Sequence, residues 1–186
     1  DIDRVFNTFG SNADKMKLAA SIYLTLPGVP FIYYGEEIGM MGTGADENKR
    51  KPMQWTDQTH AGFSSVSPWA PLGSNWQTNN VEEMSADPNS ILSHYRNLTH
   101  IRNKYESLRR GQTLAVNSSV DAVFSFARVL GEEAILTVAN TGTETADLLL
   151  TMERSSLPAG EYFVTNLLGN QAFGKIIINE DGGFDS

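Results

Sequence analysis

Four carboxylates stand where chemistry could be housed. Asp1 and Asp3 open the chain, and Glu36 and Glu37 follow directly on the apolar run of LPGVPFIYYGEEIGM, residues 26–40. Glycoside hydrolysis by the common route needs two carboxyl groups across one bond, one to protonate the leaving oxygen and one to act as nucleophile or base. The plain alternative is that these are loop or helix-start carboxylates with no chemical role, and residue types alone leave both open. Other chemistries have less to work with. The sequence has no phosphate-cradling glycine loop, no histidine-rich metal motif and no nucleophile elbow. It has no cysteine, which removes a thiolate nucleophile, a thiolate metal site and a disulfide framework.

The elements that must hold these groups can be read from pattern. Val29, Phe31, Ile32, Tyr33 and Tyr34 form a nearly continuous apolar run that suits a strand covered on both faces, as in a parallel sheet or barrel. The loop leaving such a strand is where α/β folds house their chemistry, and Glu36 and Glu37 stand there. Residues 11–26 read as a helix capped by Ser11 or Asn12, with Met16, Ala19, Ala20, Tyr23 and Leu26 at helical spacing and Pro27–Gly28 ending it. Residues 35–87 then form a stretch far longer than the usual ~4–6-residue connection. It carries all three tryptophans, Trp55, Trp69 and Trp76, which marks an ordered excursion and not a linker. Such rings could stack on the apolar face of a pyranose or simply pin the loop to the body. A second helix is expected from Asp87 as N-cap and Pro88 at its first position to a stop at Gly111, with His94 and His100 as solvated residues off its apolar face. Short alternating runs at 113–117, 122–129, 134–139, 146–152, 161–166 and 175–178 predict an antiparallel sandwich, and 181–186 an unfinished turn.

A length of 186 residues and 40% hydrophobic content fit a globular protein of one domain or two small ones. The formal net charge of −8, with Lys and Arg scattered, gives no footprint for nucleic acid. No apolar run approaches the ~20 residues that span a bilayer, and DIDRVFNTFG is not a signal peptide, so no membrane partner is expected. Neither feature fixes the compartment.

The segment LPGVPFIYYGEEIGM, the later RKPMQW at 50–55, AGFS at 61–64, and NVEEM followed by DPNSILSHYRNLTHIR strongly resemble the closing part of the α-amylase family of retaining glycosidases, glycoside hydrolase family 13. RKPMQW points to its oligo-1,6-glucosidase-like and bacterial α-amylase-like members. The resemblance covers about residues 1–111. It implies a fold that is α/β plus all-β: the last strand and last two helices of a (β/α)8 TIM barrel over 1–111, then an antiparallel β-sandwich, domain C, over 112–186, lacking its last strand. The chain is then a C-terminal fragment.

Site residues follow from the same resemblance. Family members carry Asn-His-Asp, two residues and Arg at the end of the seventh strand, and Asp1 and Arg4 match its Asp and Arg. Asp1 is thereby expected as the carboxylate that binds hydroxyls of the sugar at the cleaved bond and favours its oxocarbenium-like state. Arg50 is expected to contact the sugar before the scissile bond, Glu36 or Glu37 to line the neighbouring subsite, and Arg4 to be structural. The nucleophilic Asp and the acid/base Glu belong to strands upstream of residue 1. The expected function is therefore that of a retaining α-glycosidase acting on α-linked glucose oligosaccharides or polysaccharides, with this chain inactive without the N-terminal part of the same enzyme. The alternatives are a sucrose- or trehalose-type transglycosylase or isomerase of the same family, and a non-catalytic carbohydrate-binding or interaction module. No metal or other cofactor is expected in this segment; calcium is possible in the parent.

Overall fold

Gly10 and Ser11 take positive φ, 65° and 58°, and turn the chain out of a short helix α1, Val5–Thr8, into α2, Ala13–Tyr23. Of the two expected caps it is Asn12 that serves: its Oδ1 accepts the Lys15 amide at 2.9 Å. The computed structural model describes residues 2–185. The chain forms two compact units, one running through Ala20 and resuming over Pro30–Asn97, the other made of Ser21–Val29 and the residues from Leu98 onward.

In the first unit the long excursion is ordered, as its tryptophans implied. It contains a 3-10 turn at Glu36–Ile38, helix α3 at Asp46–Lys49, a second 3-10 turn at Thr59–Gly62 and helix α4 at Val81–Ala86. The side chain of Asn80 caps α4 by accepting the Glu83 amide at 2.9 Å. Ile38, Met40 and Leu92 make a core cluster flanked by Met53, Val81 and Met84. Gln54, in the middle of RKPMQW, is fully buried; it donates from Nε2 to the Asn79 carbonyl, and its own backbone carbonyl accepts the Val81 amide at 3.0 Å.

Two elements differ from the sequence reading here. Residues 29–34 form no strand, and Phe31 is 88% exposed. A parallel strand exists only through ladders to its neighbours, and every strand pair among the described residues is antiparallel and lies C-terminal to residue 111. The second helix, α5, is Ile91–Lys104 and starts later than expected. Asp87 instead closes a turn, accepting the Asn89 amide at 2.8 Å, and Ser90 is the cap, its Oγ accepting the Ser93 amide at 3.1 Å. Tyr105 takes an extended conformation and splits off a separate helix α6, Glu106–Arg110.

The second unit is dominated by three antiparallel sheets. β1 (Gln112–Ala115), β3 (Val123–Leu130) and β4 (Glu133–Asn140) lie in the order β1-β3-β4. β2 (Asn117–Ser118), β5 (Leu150–Met152) and β8 (Phe184–Asp185) lie in the order β2-β5-β8. β6 (Gly160–Asn166) and β7 (Gln171–Ile178) form a hairpin with a register irregularity at Val164/Thr165. All three sheets feed one core, in which Val116, Ala127, Val129, Met152, Ile178 and Phe184 are buried. Burial of Phe184 explains why 184–185 pair as a strand where an unfinished turn was expected.

Two buried arginines organise the 21–29 segment of this unit. Arg102 donates to the carbonyls of Leu24, Leu26 and Gly28 at 2.7, 3.0 and 2.5 Å, so it gathers the turn that follows α2 around one guanidinium. Arg128 donates to Thr25 O at 3.3 Å and Gly111 O at 2.8 Å.

Candidate functional site

The site residues are brought together within the first unit. The segment that follows Asp1 is stitched to the loop at 42–44: the Arg4 amide donates to Gly42 O at 2.9 Å, the Gly42 amide to Asn7 Oδ1 at 2.6 Å and the Gly44 amide to Asp3 Oδ1 at 2.9 Å. Asp1 itself lies outside the described residues.

Arg4 is 5% exposed and sits at the centre of the group. Its Nε donates to Lys49 O at 2.9 Å and its Nη1 to the Tyr34 carbonyl. Its guanidinium carbon lies 4.2 Å from the Tyr33 ring centroid and 4.6 Å from that of Tyr34, within cation–π range of both. The two tyrosine rings meet edge to face at 4.9 Å.

Glu36 and Glu37 are set by backbone geometry. Gly35 has φ 78°, and a Cβ there would overlap the Met40 thioether, so only glycine permits the turn that starts the Glu36–Ile38 segment. Adjacent in sequence, the two carboxylates have different surroundings. Glu36 Oε1 accepts the Tyr95 hydroxyl at 2.9 Å. Glu37 carries a buried Oε2 without a partner, and burial raises its pKa above the ordinary carboxylate value, against the pull of backbone hydrogen bonds at Glu37 and Gly35 and of Arg4.

Arg50 follows α3 with an exposed side chain, and its Nη2 lies 3.1 Å from Asp46 Oδ2. The i,i+4 spacing brings the pair together at the helix end, and Asp46 Oδ1 also lies 3.6 Å from Lys49 Nζ. A cavity of about 430 Å³ is lined by Asp3, Arg4, Tyr33, Glu36 and Arg50 among others. A second, of about 240 Å³, is lined by Tyr34, Arg50, Phe63 and Trp69. Arg50 lines both cavities, Tyr33 the first and Tyr34 the second, and Trp69, on the second, is 88% exposed. Tyr34 donates its hydroxyl to Lys51 O at 2.9 Å, and burial raises its pKa more than Arg4 lowers it.

Of the four expected site residues, Arg50 and Glu36 line one cavity, and Glu37 is the sequence neighbour of Glu36. Tyr95 and Asp46 were not singled out from sequence. Tyr95 sits at an apolar helix position, where only the rule that a buried tyrosine needs a partner for its hydroxyl could point to it; the signal for Asp46 is its i,i+4 spacing to Arg50. His94, expected as solvated, is half-buried, and its Nε2 lies 3.0 Å from Lys17 O. Among the described residues no three His, Asp or Glu side chains gather in a way that could hold a metal ion, and no helix is long and apolar enough to cross a membrane.

Comparison with known proteins places these residues in context. A family model described as "Alpha amylase, catalytic domain" matches residues 1–111. Alpha-amylase 3 of Dictyoglomus thermophilum is 42% identical over 139 residues, which cover 74% of this chain and 28% of that protein. An oligo-1,6-glucosidase of Bacillus cereus is 28% identical over 185 residues, covering 77% and 33%. Among solved structures, an alpha-amylase from H. orenii superposes with a TM-score of 0.72 at 30% identity, over 100% of this chain and 37% of that one. An isomaltulose synthase from Erwinia rhapontici NX5 superposes with a TM-score of 0.70 at 22% identity, over 100% and 41%, a likeness of fold. The chain spans 28% and 33% of the lengths of those two curated relatives.

Proposed function

This chain belongs to the α-amylase family, and from that premise we propose that the protein of which it forms a part is a retaining α-glycosidase acting on α-linked glucose oligosaccharides or polysaccharides. The observation that carries this reading is the one cavity lined by Arg50, Glu36 and the residues that directly follow Asp1 in sequence. In it, Asp1 binds hydroxyls of the sugar at the cleaved bond and stabilises positive charge developing on the ring, a contact worth most in the transition state. Arg50, held by Asp46 at one edge, donates to the same sugar. Glu36, with one oxygen taken by Tyr95, offers the other to a hydroxyl of the adjoining unit.

The nucleophile and the acid/base are assigned to the preceding part of the parent, so the 186 residues alone are inert. We take 1–111 as the closing portion of the catalytic barrel and 112–186 as the sandwich domain that follows; the extent of the family match supports that boundary. Calcium, if the parent holds any, is assigned outside this segment.

The test compares the full-length parent with this purified chain on maltose, isomaltose, maltooligosaccharides and sucrose. The expected result is glucose release by the parent alone. Turnover by the isolated chain above a buffer blank sinks the assignment of the reactive pair. Isomerised disaccharide as the main product replaces hydrolysis by transglycosylation, and an inert parent leaves a binding module.

A further inference from the structure

Arg4, at a family position expected to be structural, is tied to the segments that carry the expected site residues. Its Nε holds the carbonyl of Lys49, one residue before Arg50. Its Nη1 holds the carbonyl of Tyr34, two residues before Glu36 and three before Glu37. It stands three residues after Asp1, and its own backbone amide ties that segment to Gly42. Its planar cation is in cation–π contact with both Tyr33 and Tyr34. A lysine ammonium could reproduce one of these contacts but not a two-carbonyl fork combined with a flat face between two rings.

The guanidinium is also not saturated. Nη2 is buried without a partner among the described residues, as is the acceptor Oε2 of Glu37. A buried donor left unmade costs about 1–3 kcal/mol, a burden more in keeping with a site held ready than with a purely structural anchor.

We propose that Arg4 is a positioning residue of the sugar cleft, a cationic clamp that sets the spacing between the Asp1 segment, the Tyr33–Glu37 segment and the Arg50 loop. The inference rests on the glycosidase reading for its catalytic consequence but not for its structural one. A displacement of about 1 Å at a reacting centre costs about 100-fold in rate, so losing the clamp acts chiefly on kcat.

The test uses the full-length parent with Arg4→Met and Arg4→Lys. On 4-nitrophenyl α-glucoside, Arg4→Met is expected to lose about 100-fold in kcat with KM changed less than about fivefold, and Arg4→Lys to recover no more than about a tenth of wild-type kcat. Far-UV circular dichroism identifies folded variants, and Arg4→Lys carries the test if Arg4→Met does not fold. A second readout needs no substrate: trypsin cleavage after Lys49 or Arg50 is expected to accelerate about tenfold when the Lys49 carbonyl loses its donor, through more frequent local opening. A folded variant with kcat within about threefold of an active wild type, or with unchanged cleavage at these bonds, overturns the clamp. An inert wild-type parent whose Arg4 variants are still cut faster supports the clamp and overturns the glycosidase reading alone.

Discussion

Replacing Arg102 with methionine is expected to destabilise the chain by about 2 kcal/mol, and the value follows from which of its three acceptors water can reach. Arg102 is 7% exposed, and its guanidinium serves the carbonyls of Leu24, Leu26 and Gly28. Leu24 is fully buried, Leu26 half-buried and Gly28 exposed. Methionine preserves the apolar stem but removes every donor. The Leu24 carbonyl then loses its charged partner where no water replaces it, a penalty of about 1–3 kcal/mol; the other two rehydrate for less than about 1 kcal/mol together. Part of the loss is returned, because burial and the neighbouring Arg109 both press the Arg102 pKa downward and that strain disappears with the charge. The balance is close to 2 kcal/mol. With a urea m-value of about 2 kcal/mol/M for a chain of this size, the midpoint falls by about 1 M. Arg102→Lys keeps the charge but not the three-way fork and should fall between. Arg96, exposed on the same helix, provides the control, with Arg96→Met expected to change stability by less than about 0.5 kcal/mol. A midpoint for Arg102→Met within about 0.2 M of wild type would refute the claim that this arginine holds the turn that follows α2.

Two further outcomes are expected. Burial raises the Glu37 pKa above the unfolded-state value, so its contribution to stability is fully present below that unfolded value and is lost as pH rises through the raised one. Glu37→Gln should therefore unfold at a higher temperature than wild type at pH 7, with the difference disappearing below about pH 4; parallel curves across that range would rule out the buried carboxylate as the cause. The purified chain should also self-associate, because Val29, Phe31, Ile32, Tyr33 and Tyr34 are all exposed in one continuous segment. Light scattering is expected to show a mass that rises with concentration, and a Phe31→Ser, Tyr33→Ser variant to lower it, whereas a dilution-stable wild-type monomer counts against a sticky segment.

That exposed segment also marks where local pattern stops being informative. Its composition is that of a strand buried on both faces, but a strand is a relation between chains of hydrogen bonds, and residues 29–34 have the side chains for it without the ladders. The α5 boundary failed for a different reason: Asp87, Pro88 and Ser90 are all good start signals, and only the Met84 carbonyl, which accepts from Ser90 Oγ at 2.6 Å, settles the choice in favour of Ser90. Features fixed within a few residues were legible, among them the Asn12 cap and the alternating runs at 122–129 and 134–139, which become β3 and β4. The opposite holds for the site. Arg4 looked like one more anchoring arginine because its partners lie 30 and 45 residues away, and no periodicity reports a carbonyl at that distance. Glu36 and Glu37 carry identical side chains on consecutive positions, and Tyr95, fifty-nine residues downstream, is what gives Glu36 a hydroxyl partner while Glu37 keeps a buried oxygen unmatched. The different surroundings of the two carboxylates are therefore set by the positive φ of Gly35 and by a phenol on another helix, neither of which is visible in two consecutive glutamates.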